Sequence, residues 1–496
     1  MTNFAALIED HPSEDAALIA RGVTTTFGEL RNDAGLLRRG LADAGIGAND
    51  RVAIIAANNE LFVVALLAVV GLGAVAVPLN PQSPGTELQR ELSTARCVAI
   101  IAGPGGARAL ADVDRSALLD LRFTVVPDGV DLEGAITFAD FIGGSPREVV
   151  AVDGDATCVL LFTSGTAGAP RPAVLSHHNL LVNQEQMLTA DPGAMVRGDV
   201  VLAVLPLFHV YGLNVVLGTA LRVGAAVVLA ERFDVDRSLD LIRDHKITVL
   251  AAAPPVWHAW AGCLASPEAF ASVRIARSGA AALDLVDARQ MAERFGLTVA
   301  EGYGLTEAAP VVAVPPEGDI RPGSVGRPLP GLDARLVDSD GRDALVGDAG
   351  ELWVRGPNVF SGYDNDPEAT AAVLDADGWL HTGDVAVADE DGHLSLVDRI
   401  KDLIIVSGFN VYPAQVEDVL VLHPLVTAAV VVGRPAPGIG ERVVAHVAVG
   451  DHVVEEDELI DFCAQHLPRY KTPSVVEVHR ELPVGVTGKI PRRLFN

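Results

Sequence analysis

The stretch that decides the fold is LFVVALLAVVGLGAVAVPL, residues 61–79, which is apolar throughout. Its length suits a membrane-spanning helix. Gly71, Gly73 and Pro78 interrupt it, however, and its second half is rich in valine, which favours a strand. We therefore predict a buried helix followed by a buried strand in the core of an α/β protein, and no integral membrane segment.

The sequence on both sides of this stretch alternates helical patterns with short apolar runs. Residues 26–44 have the pattern of a helix with one polar face. The apolar runs are VAIIAA at 52–57, VAII at 98–101, VVLAVL at 200–205 and AAVVLA at 225–230. This alternation predicts layered βαβ subdomains with mostly parallel strands.

The pattern changes after Arg321, where short strand-like segments end in Asp-Gly or Gly turns. These segments are DARLVDSDG at 333–341, GELWVRG at 350–356 and GHLSLVDR at 392–399. They predict a β-rich subdomain that ends near DRIKD, residues 398–402. The predicted fold is α/β, with a large N-terminal domain over residues 1–400 and a small α+β C-terminal domain over residues 401–496.

Composition excludes one class of partner. The chain has 65 acidic and 37 basic residues, a net charge of -28, and such a surface repels the phosphate backbone of nucleic acids. The last 28 residues reverse this balance, which suggests either local contact with an anion or an ordinary solvated surface. We predict no nucleic-acid partner.

The four cysteines are widely spaced and fit neither a metal-binding spacing nor a disulfide framework, so they are predicted to be reduced and buried. The first residues carry acidic side chains and lack the basic region and apolar core of a signal peptide. A cytoplasmic location is therefore expected.

A candidate phosphate-binding loop lies in LLFTSGTAGAPRPA, residues 160–173, where an apolar strand runs into small and hydroxyl-bearing residues. Such a loop lets backbone N–H groups and hydroxyls converge on phosphate oxygens. The candidate ligands are Thr163, Ser164, Gly165, Thr166, Gly168 and Arg171. No GxxxxGK(S/T) pattern is present, and the glycine pattern at 71–76 is a weak match to a dinucleotide site because it lies in the apolar stretch.

This loop resembles the TSGTTGxPKG loop of the adenylate-forming superfamily, which comprises acyl-CoA synthetases, luciferases and peptide-synthetase adenylation domains. The chain departs from that pattern at Ala167, Arg171 and Pro172, where the family usually has Thr, Lys and Gly. Arginine keeps the positive charge but presents a planar fork, and Ala167 removes a hydroxyl. We interpret these departures as altered pyrophosphate contacts rather than loss of binding.

Three further segments of the N-terminal domain resemble family motifs. They are PLFHVYG at 206–212, RSGAAAL at 277–283 and EGYGLTE at 301–307. The resemblance implies that His209 lines the entry of the carboxylate, that Thr306 faces the α-phosphate and that Glu307 holds Mg²⁺. It places the adenine against Gly279, Ala280, Ala281 and Tyr303, and it counts Gly302 and Gly304 among the residues that bind ATP or AMP.

The remaining motifs follow in the family's order. GWLHTGD at 378–384 assigns Asp384 to the ribose hydroxyls. DRIKD implies that Arg399 reaches the ribose or a phosphate and that Lys401 is the hinge of a mobile C-terminal domain. Coenzyme A is then expected to contact Ser407, Gly408 and Phe409, and PVGVTGKIP at 483–491 makes Lys489 the lysine that bridges the carboxylate and the α-phosphate.

The resemblance covers essentially the whole chain and implies an ATP-dependent, AMP-forming acyl-CoA synthetase. Its substrates would be a small-molecule carboxylic acid, ATP and coenzyme A, with Mg²⁺ as the metal; the oligomeric state stays open. The alternatives are an acyl-AMP ligase that loads a carrier protein, a luciferase-like oxygenase and a non-catalytic nucleotide-binding protein. The chain ends shortly after Lys489 without a carrier domain, which favours coenzyme A as the acceptor.

The predicted acyl pocket is apolar and contains no cation for a second carboxylate. Its candidate residues are Tyr211, Val256, Trp257, Ala282 and Ala308. They favour a hydrophobic monocarboxylic acid, for which we predict a medium- or long-chain fatty acid. An aromatic acid of the 4-coumarate or benzoate kind is the alternative, because Trp257 could close a short pocket.

Overall fold

The computed structural model describes residues 2–163, 171–315, 318–399, 402, 404–406, 409–436, 440–483, 490 and 492–495. The chain forms two compact units. The first comprises Met1–Pro322, Arg327–Asp333 and Arg355–Leu380, and the second comprises Gly323–Gly326, Ala334–Val354 and His381–Asn496. The predicted boundary between residues 400 and 401 stays a prediction, because both residues lie outside the described part of the chain.

The described part of the first unit contains two seven-stranded sheets and one three-stranded sheet, with helices in the connections. In chain order the strands are β1 (Ala16–Ala20), β2 (Val23–Thr26), β3 (Arg51–Ile55), β4 (Val75–Pro78), β5 (Ala99–Ala102), β6 (Phe123–Val126), β7 (Ile136–Thr137), β8 (Thr157–Thr163), β9 (Arg171–Ser176), β10 (Val200–Ala203), β11 (Ala226–Leu229), β12 (Val249–Ala252), β13 (Ile275–Ser278), β14 (Ala300–Glu301), β15 (Tyr303–Gly304), β16 (Val311–Val314) and β17 (Arg327–Pro328).

The α-helices of this unit are α1 (Phe27–Asp43), α2 (Glu60–Gly71), α3 (Gly85–Thr94), α4 (Pro104–Leu110), α5 (Phe138–Phe141), α6 (His177–Ala190), α7 (Thr219–Val223), α8 (Val235–His245), α9 (Pro254–Ala261), α10 (Leu285–Phe295) and α11 (Pro367–Ala371). A π-helix spans Tyr211–Gly218, and short 3₁₀-helices span Phe4–Ile8, Arg115–Ala117, Pro267–Phe270 and Thr306–Ala308.

Helix α1 lies within the limits that the sequence predicted. The Thr26 hydroxyl accepts a hydrogen bond from the Glu29 N–H, and the Glu29 carboxylate accepts one from the Thr26 N–H at 2.8 Å. This reciprocal capping box satisfies two backbone donors at the helix start. The helix then ends at its C-cap, Ala44.

The apolar stretch at 61–79 forms helix α2 followed by strand β4, as predicted. Residues from Phe62 to Gly71 are buried, and so is every residue of β4, which pairs with β3 and β8 in the interior of a sheet. No helix of the described chain is both long enough and apolar enough to span a membrane.

The two large sheets are almost entirely parallel, which confirms the predicted α/β class. One has the strand order β7-β6-β5-β3-β4-β8-β9, and the other has β14-β13-β12-β10-β11-β1-β2. The pairs β8–β9 and β1–β2 are antiparallel. The predicted runs at 52–57, 98–101, 200–205 and 225–230 supply β3, β5, β10 and β11.

All four cysteines are free. Cys97, Cys158 and Cys463 are buried as predicted, whereas Cys263 is only partly buried. Burial raises the pKa of the Cys97 thiol to about 12 and that of Cys463 to about 11. These thiols are therefore neutral and unreactive at physiological pH.

The described part of the second unit contains two smaller sheets. Its strands are β18 (Asp333–Val337), β19 (Ala349–Arg355), β20 (Leu380–Ala388), β21 (Leu394–Arg399), β22 (Ile404–Val406), β23 (Phe409–Val411), β24 (Ala428–Ala436), β25 (Gly440–Ala448) and β26 (Val475–His479), and its α-helices are α12 (Pro413–Val421) and α13 (Glu456–His466). One sheet has the order β18-β19-β20-β21; in the other, β23-β22-β25-β24, strand β26 also pairs with β25. The predicted β-rich segments supply β18, β19 and β21.

Candidate active site

In the first unit, most of the predicted site residues follow the carboxyl ends of four parallel strands, β10, β12, β13 and β14. These strands lie in one sheet and run in the same direction, so the segments after them meet at one edge. Ligands of open parallel sheets bind outside this edge. His209 and Tyr211 follow β10, Val256 and Trp257 follow β12, Gly279, Ala280, Ala281 and Ala282 follow β13, and Gly302, Tyr303, Gly304, Thr306, Glu307 and Ala308 follow β14.

The EGYGLTE segment is held in a tight turn after β14. The Leu305 N–H donates to the Pro310 carbonyl at 3.0 Å, and Thr306–Ala308 forms a single 3₁₀ turn. A Cβ at Gly304 would lie 2.3 Å from the Pro310 carbonyl oxygen, so only glycine fits there. The Ala308 carbonyl accepts a hydrogen bond from the buried Asn358 amide at 2.8 Å. The backbone that presents Glu307 is therefore fixed.

Glu307 is oriented by a tyrosine that the sequence analysis missed. The Tyr363 hydroxyl donates to Glu307 Oε1 at 2.7 Å, and the Phe360 N–H donates to the Glu307 carbonyl at 2.8 Å. Burial, together with the Glu307 carboxylate, raises the pKa of the Tyr363 hydroxyl, so Tyr363 remains a donor at all physiological pH values. Within the described chain Glu307 Oε2 accepts no hydrogen bond. A carboxylate held in this way fits Mg²⁺, which prefers oxygen ligands.

Tyr363 belongs to a connecting segment, residues 358–366, that also contacts the phosphate-loop hairpin. The Asp364 N–H donates to the Pro172 carbonyl at 2.9 Å, and the Asp366 carboxylate pairs with Arg171 Nε at 3.0 Å. The Asp364 carboxylate also accepts two hydrogen bonds from Arg51 on β3, at 2.8 and 2.9 Å. One short segment thus joins the hairpin to Glu307.

The phosphate-loop hairpin is described only at its base. Thr163 ends β8 and faces Arg171, the first residue of β9, with the Thr163 hydroxyl 3.4 Å from the Arg171 carbonyl oxygen. The predicted ligands Ser164, Gly165, Thr166 and Gly168 lie outside the described residues. Arg171 is described and pairs with Asp366 through Nε, and its role in binding phosphate stays a prediction.

The predicted adenine slot is lined by an aromatic ring. A Cβ at Gly279 would lie 3.0 Å from Tyr211 Cε1, so the Tyr211 ring packs directly on the Gly279 backbone. Ala280 has φ of 74°, a left-handed conformation that is unusual for alanine. Glycine adopts this conformation without strain, so the backbone at Ala280 keeps a conformation that suits glycine.

Glu301 is a second residue whose importance the sequence analysis missed. Its carboxyl accepts a hydrogen bond from the Leu283 N–H at 3.2 Å, and this bond links the end of β14 to the segment after β13. Burial raises the pKa of Glu301 from 4.5 to about 7. A large part of the Glu301 population is therefore neutral near physiological pH.

Glu301→Gln should change how the free energy of unfolding depends on pH. In the wild type, the Glu301 carboxyl ionises above about pH 4.5 in the unfolded state but only near pH 7 in the folded state. The free energy of unfolding therefore falls as the pH rises through this window and then levels off. Glutamine keeps an acceptor for Leu283 but does not titrate. Relative to the wild type, the free energy of unfolding of the variant should therefore rise by up to about 3 kcal/mol between pH 4.5 and pH 8.

Urea denaturation at pH 5 and at pH 8 measures this gain. The control is Glu293→Gln, which removes an exposed carboxylate on α10 and should leave the pH dependence unchanged. An equal difference between Glu301→Gln and wild type at both pH values would show that Glu301 titrates as an ordinary carboxyl.

His209 and the two residues after β12 have distinct surroundings. Burial lowers the pKa of His209, so its imidazole is neutral at physiological pH and can donate or accept a hydrogen bond without charge. Val256 is partly buried. Trp257 is fully buried, donates to the Ala252 carbonyl at 3.2 Å and packs edge-on against Trp260, 5.1 Å between ring centroids. Its contacts are those of a core residue, and its role in closing an acyl pocket stays a prediction.

In the second unit, Asp384 is buried within strand β20, where neighbouring residues hold the backbone by hydrogen bonds. The Asp384 N–H donates to the Thr382 hydroxyl at 3.1 Å, and the Thr382 hydroxyl donates to the Leu352 carbonyl at 2.7 Å. The Gly383 N–H donates to Glu351 Oε1 at 3.1 Å, and Gly383 has φ of 70°. These hydrogen bonds fix the backbone from which the Asp384 carboxylate projects.

The backbone of Arg399 lies opposite Asp384 in the β20–β21 pair. Phe409 begins strand β23. Four predicted residues, Lys401, Ser407, Gly408 and Lys489, lie outside the described part of the chain. Their roles stay predictions.

Comparison with known proteins gives a consistent class. Residues 4–364 match the family described as AMP-binding enzyme, and residues 415–489 match its C-terminal domain. The long-chain-fatty-acid–CoA ligase of Salmonella typhimurium is 34% identical over 518 residues, covering 97% of this chain and 91% of the relative. The 4-coumarate–CoA ligase 2 of Oryza sativa subsp. japonica is 36% identical over 517 residues, covering 99% of this chain and 90% of the relative.

Solved structures agree with this class. The ATP-bound MatB from Rhodopseudomonas palustris has a TM-score of 0.92 at 29% identity, and the match covers 100% of this chain and 98% of MatB. The chain therefore belongs to the AMP-binding enzyme family, within the adenylate-forming superfamily. It is an AMP-forming acid–CoA ligase, which uses ATP, Mg²⁺ and coenzyme A.

Proposed function

We propose that the acid is a hydrophobic monocarboxylic acid and that medium- or long-chain fatty acids are its main class. The observation that carries this proposal is the pairing of Arg277, the cation on β13, with the buried Asp191. The segments 204–218, 253–262, 279–284 and 302–309, which follow the four strand ends, contain no lysine or arginine. These four segments therefore offer no cation to a second carboxylate.

The other groups at this edge also disfavour a second charge. Val256, Ala281 and Ala308 are apolar, and His209 is neutral at physiological pH. Glu301 adds a carboxyl that repels an anion whenever it is ionised. An alkyl chain can pack against these apolar side chains, whereas a second carboxylate would be buried without a compensating charge.

An aromatic acid is the second candidate, and one contact favours it. The Tyr211 ring packs on Gly279 and offers a flat aromatic surface beside the predicted adenine slot. Offset or edge-on ring pairs add about 0.5–1.5 kcal/mol beyond their buried area. The two curated relatives act, by their names, on a long-chain fatty acid and on 4-coumarate, so both classes belong in the test.

The reaction needs two successive displacements, the first at the α-phosphorus of ATP and the second at the acyl carbon. In the first, a carboxylate oxygen attacks the α-phosphorus of ATP and pyrophosphate leaves; in the second, the thiol of coenzyme A attacks the acyl carbon and AMP leaves. Mg²⁺, held by Glu307, would supply positive charge that offsets the phosphate oxygens. Asp384 would hold the ribose hydroxyls, and Lys489 would bridge the two reacting anions before rotation about Lys401 withdraws it.

Pyrophosphate release tests the proposed acid. Purified protein with ATP and Mg²⁺ is supplied with octanoate, palmitate, 4-coumarate or benzoate, with and without coenzyme A, and with Glu307→Gln as the blank. Hexadecanedioate is the matched control for palmitate, because it adds only a second carboxylate. We expect palmitate or octanoate to give the highest kcat/KM and the dicarboxylate at least about 10-fold less. Preference for an aromatic acid would select the second candidate, and preference for hexadecanedioate would overturn the monocarboxylate proposal.

Tyr363→Phe should weaken the response to Mg²⁺ without abolishing activity. The variant loses the hydroxyl that orients Glu307 but keeps the carboxylate and the edge-on contact with Phe360. One hydrogen bond to a charged group is worth about 1.5–3 kcal/mol, so the Mg²⁺ concentration for half-maximal activity should rise at least about 10-fold. The rate of pyrophosphate release, measured over a series of Mg²⁺ concentrations, gives this half-maximal concentration. Tyr470→Phe, in the second unit, is the matched control, and an unchanged Mg²⁺ response in Tyr363→Phe would contradict the orienting role.

A further inference from the structure

Two histidines and a glutamate converge on one face of the larger sheet of the second unit. His446 lies on β25, and Glu477 and His479 lie on the neighbouring β26, where His446 pairs directly with Glu477. His479 is two residues further on, so its side chain is on the same face as that of Glu477. None of these three residues belongs to a motif of the adenylation reaction.

The three side chains bring their ligand atoms close together. His446 Nδ1 lies 3.2 Å from His479 Nε2 and 3.3 Å from Glu477 Oε2, and the three ligand atoms all lie within 4.8 Å of one another. Metal–nitrogen bonds of about 2.0–2.1 Å in a tetrahedron place neighbouring ligand atoms about 3.3 Å apart. A charge-assisted hydrogen bond to a carboxylate is shorter, about 2.7–2.9 Å. The separations of 3.2 and 3.3 Å match the spacing of neighbouring ligand atoms in a tetrahedral metal shell and exceed the length of a short charge-assisted hydrogen bond.

We propose that His446, Glu477 and His479 form a binding site for a divalent transition-metal ion, with Zn²⁺ as the first candidate. Imidazole nitrogens and a carboxylate oxygen are ligands that Zn²⁺ uses, and a water molecule completes a fourfold shell. The site goes beyond the ligase reaction and does not depend on the identity of the acid.

The surroundings allow the ion to enter and to be retained. His446 is buried, with its ring 4.7 Å from that of Phe495, whereas the Glu477 side chain is 53% exposed and opens the site to solvent. Arg434 lies nearby, but its guanidinium donates to the Phe495 carbonyl.

The ion would join two strands and stabilise the second unit. Ligand binding to the folded state alone raises stability in proportion to the logarithm of the ion concentration over Kd. Cys463, in the same unit, does not compete for the ion, since burial raises the pKa of its thiol to about 11.

Metal binding by the full-length protein, with any affinity tag removed and after treatment with a chelator, tests the site. Zn²⁺ titration by calorimetry should show one tight site per chain, and Co²⁺ should give the intense visible absorption of a tetrahedral complex. Glu477→Gln and His479→Ala should each weaken binding by more than the roughly 10- to 100-fold that loss of an outer-shell partner costs. His452→Ala removes an exposed histidine of the same unit and should leave binding unchanged.

Glu477 and His479 are less buried than His446. Their variants therefore keep the test decisive even if replacement of His446 prevents folding. Circular dichroism of Glu477→Gln and His479→Ala establishes that each variant is folded before titration. Absence of a saturable site in the wild type would overturn the proposal and leave a hydrogen-bonded histidine pair. Binding of wild-type strength in both variants would overturn it as well, because the ion would then lie elsewhere.

Discussion

Glu307→Gln is expected to lower kcat/KM for pyrophosphate release by about 100- to 1,000-fold, a loss typical of removing one electrostatic contact to a transition state. The amide can still accept the Tyr363 hydrogen bond at Oε1 and keeps the shape of the side chain. It removes the negative charge that would hold Mg²⁺ beside the phosphates. The defect should therefore come from the lost charge rather than from a displaced turn.

Glu301→Gln is the matched control for this variant. It makes the same chemical change in the same EGYGLTE segment, but at the buried carboxyl that contacts Leu283. Its kcat/KM should stay within about threefold of the wild type at pH 8. This is also one of the two pH values at which the free energy of unfolding of Glu301→Gln is measured. Glu307→Gln with nearly wild-type activity, at saturating ATP and Mg²⁺, would rule out Glu307 as the metal ligand.

Lys489→Ala should separate the two half-reactions. We expect adenylate formation to fall by about 100- to 1,000-fold, because the charge between two reacting anions is lost. Thioester formation from supplied acyl-AMP and coenzyme A should stay within a few-fold of the wild type, since the lysine is expected to have left the site by then. Stopped assays of each half-reaction measure both rates.

Lys471→Ala is the control for Lys489→Ala. Lys471 belongs to the same cationic end of the chain, but its ammonium donates to Gln415 at 2.6 Å. Both half-reactions should proceed normally in this variant. Equal losses in the two half-reactions of Lys489→Ala would contradict a role confined to adenylation.

Much of the fold could be predicted from the sequence because its signals are local. Thr26 and Glu29 form a capping box within one turn, and the glycines and Pro78 divide the apolar stretch at 61–79 into a helix and a strand. The positions of the motif residues after β13 and β14 could be predicted for the same reason, because each motif directly follows its strand in the sequence.

The connecting segment could not be predicted, because its contacts join distant residues. Tyr363 and Glu307 are 56 positions apart, and Arg51 and Asp364 are 313 apart. The run YDND at 363–366 offers an aromatic and three polar side chains in a turn, but nothing local indicates their partners. Glu301 was missed for a similar reason, since its raised pKa depends on burial that only the folded chain creates.

The connecting segment also has a consequence for how the first unit comes apart. Residues 358–366 bond to β3 and β9 of one large sheet and to the turn that follows β14 of the other. Opening of either sheet would break the bonds through which this segment links it to the other sheet. Amide protons in both sheets should therefore exchange through one shared opening event, and the unit should melt as a single cooperative block rather than sheet by sheet.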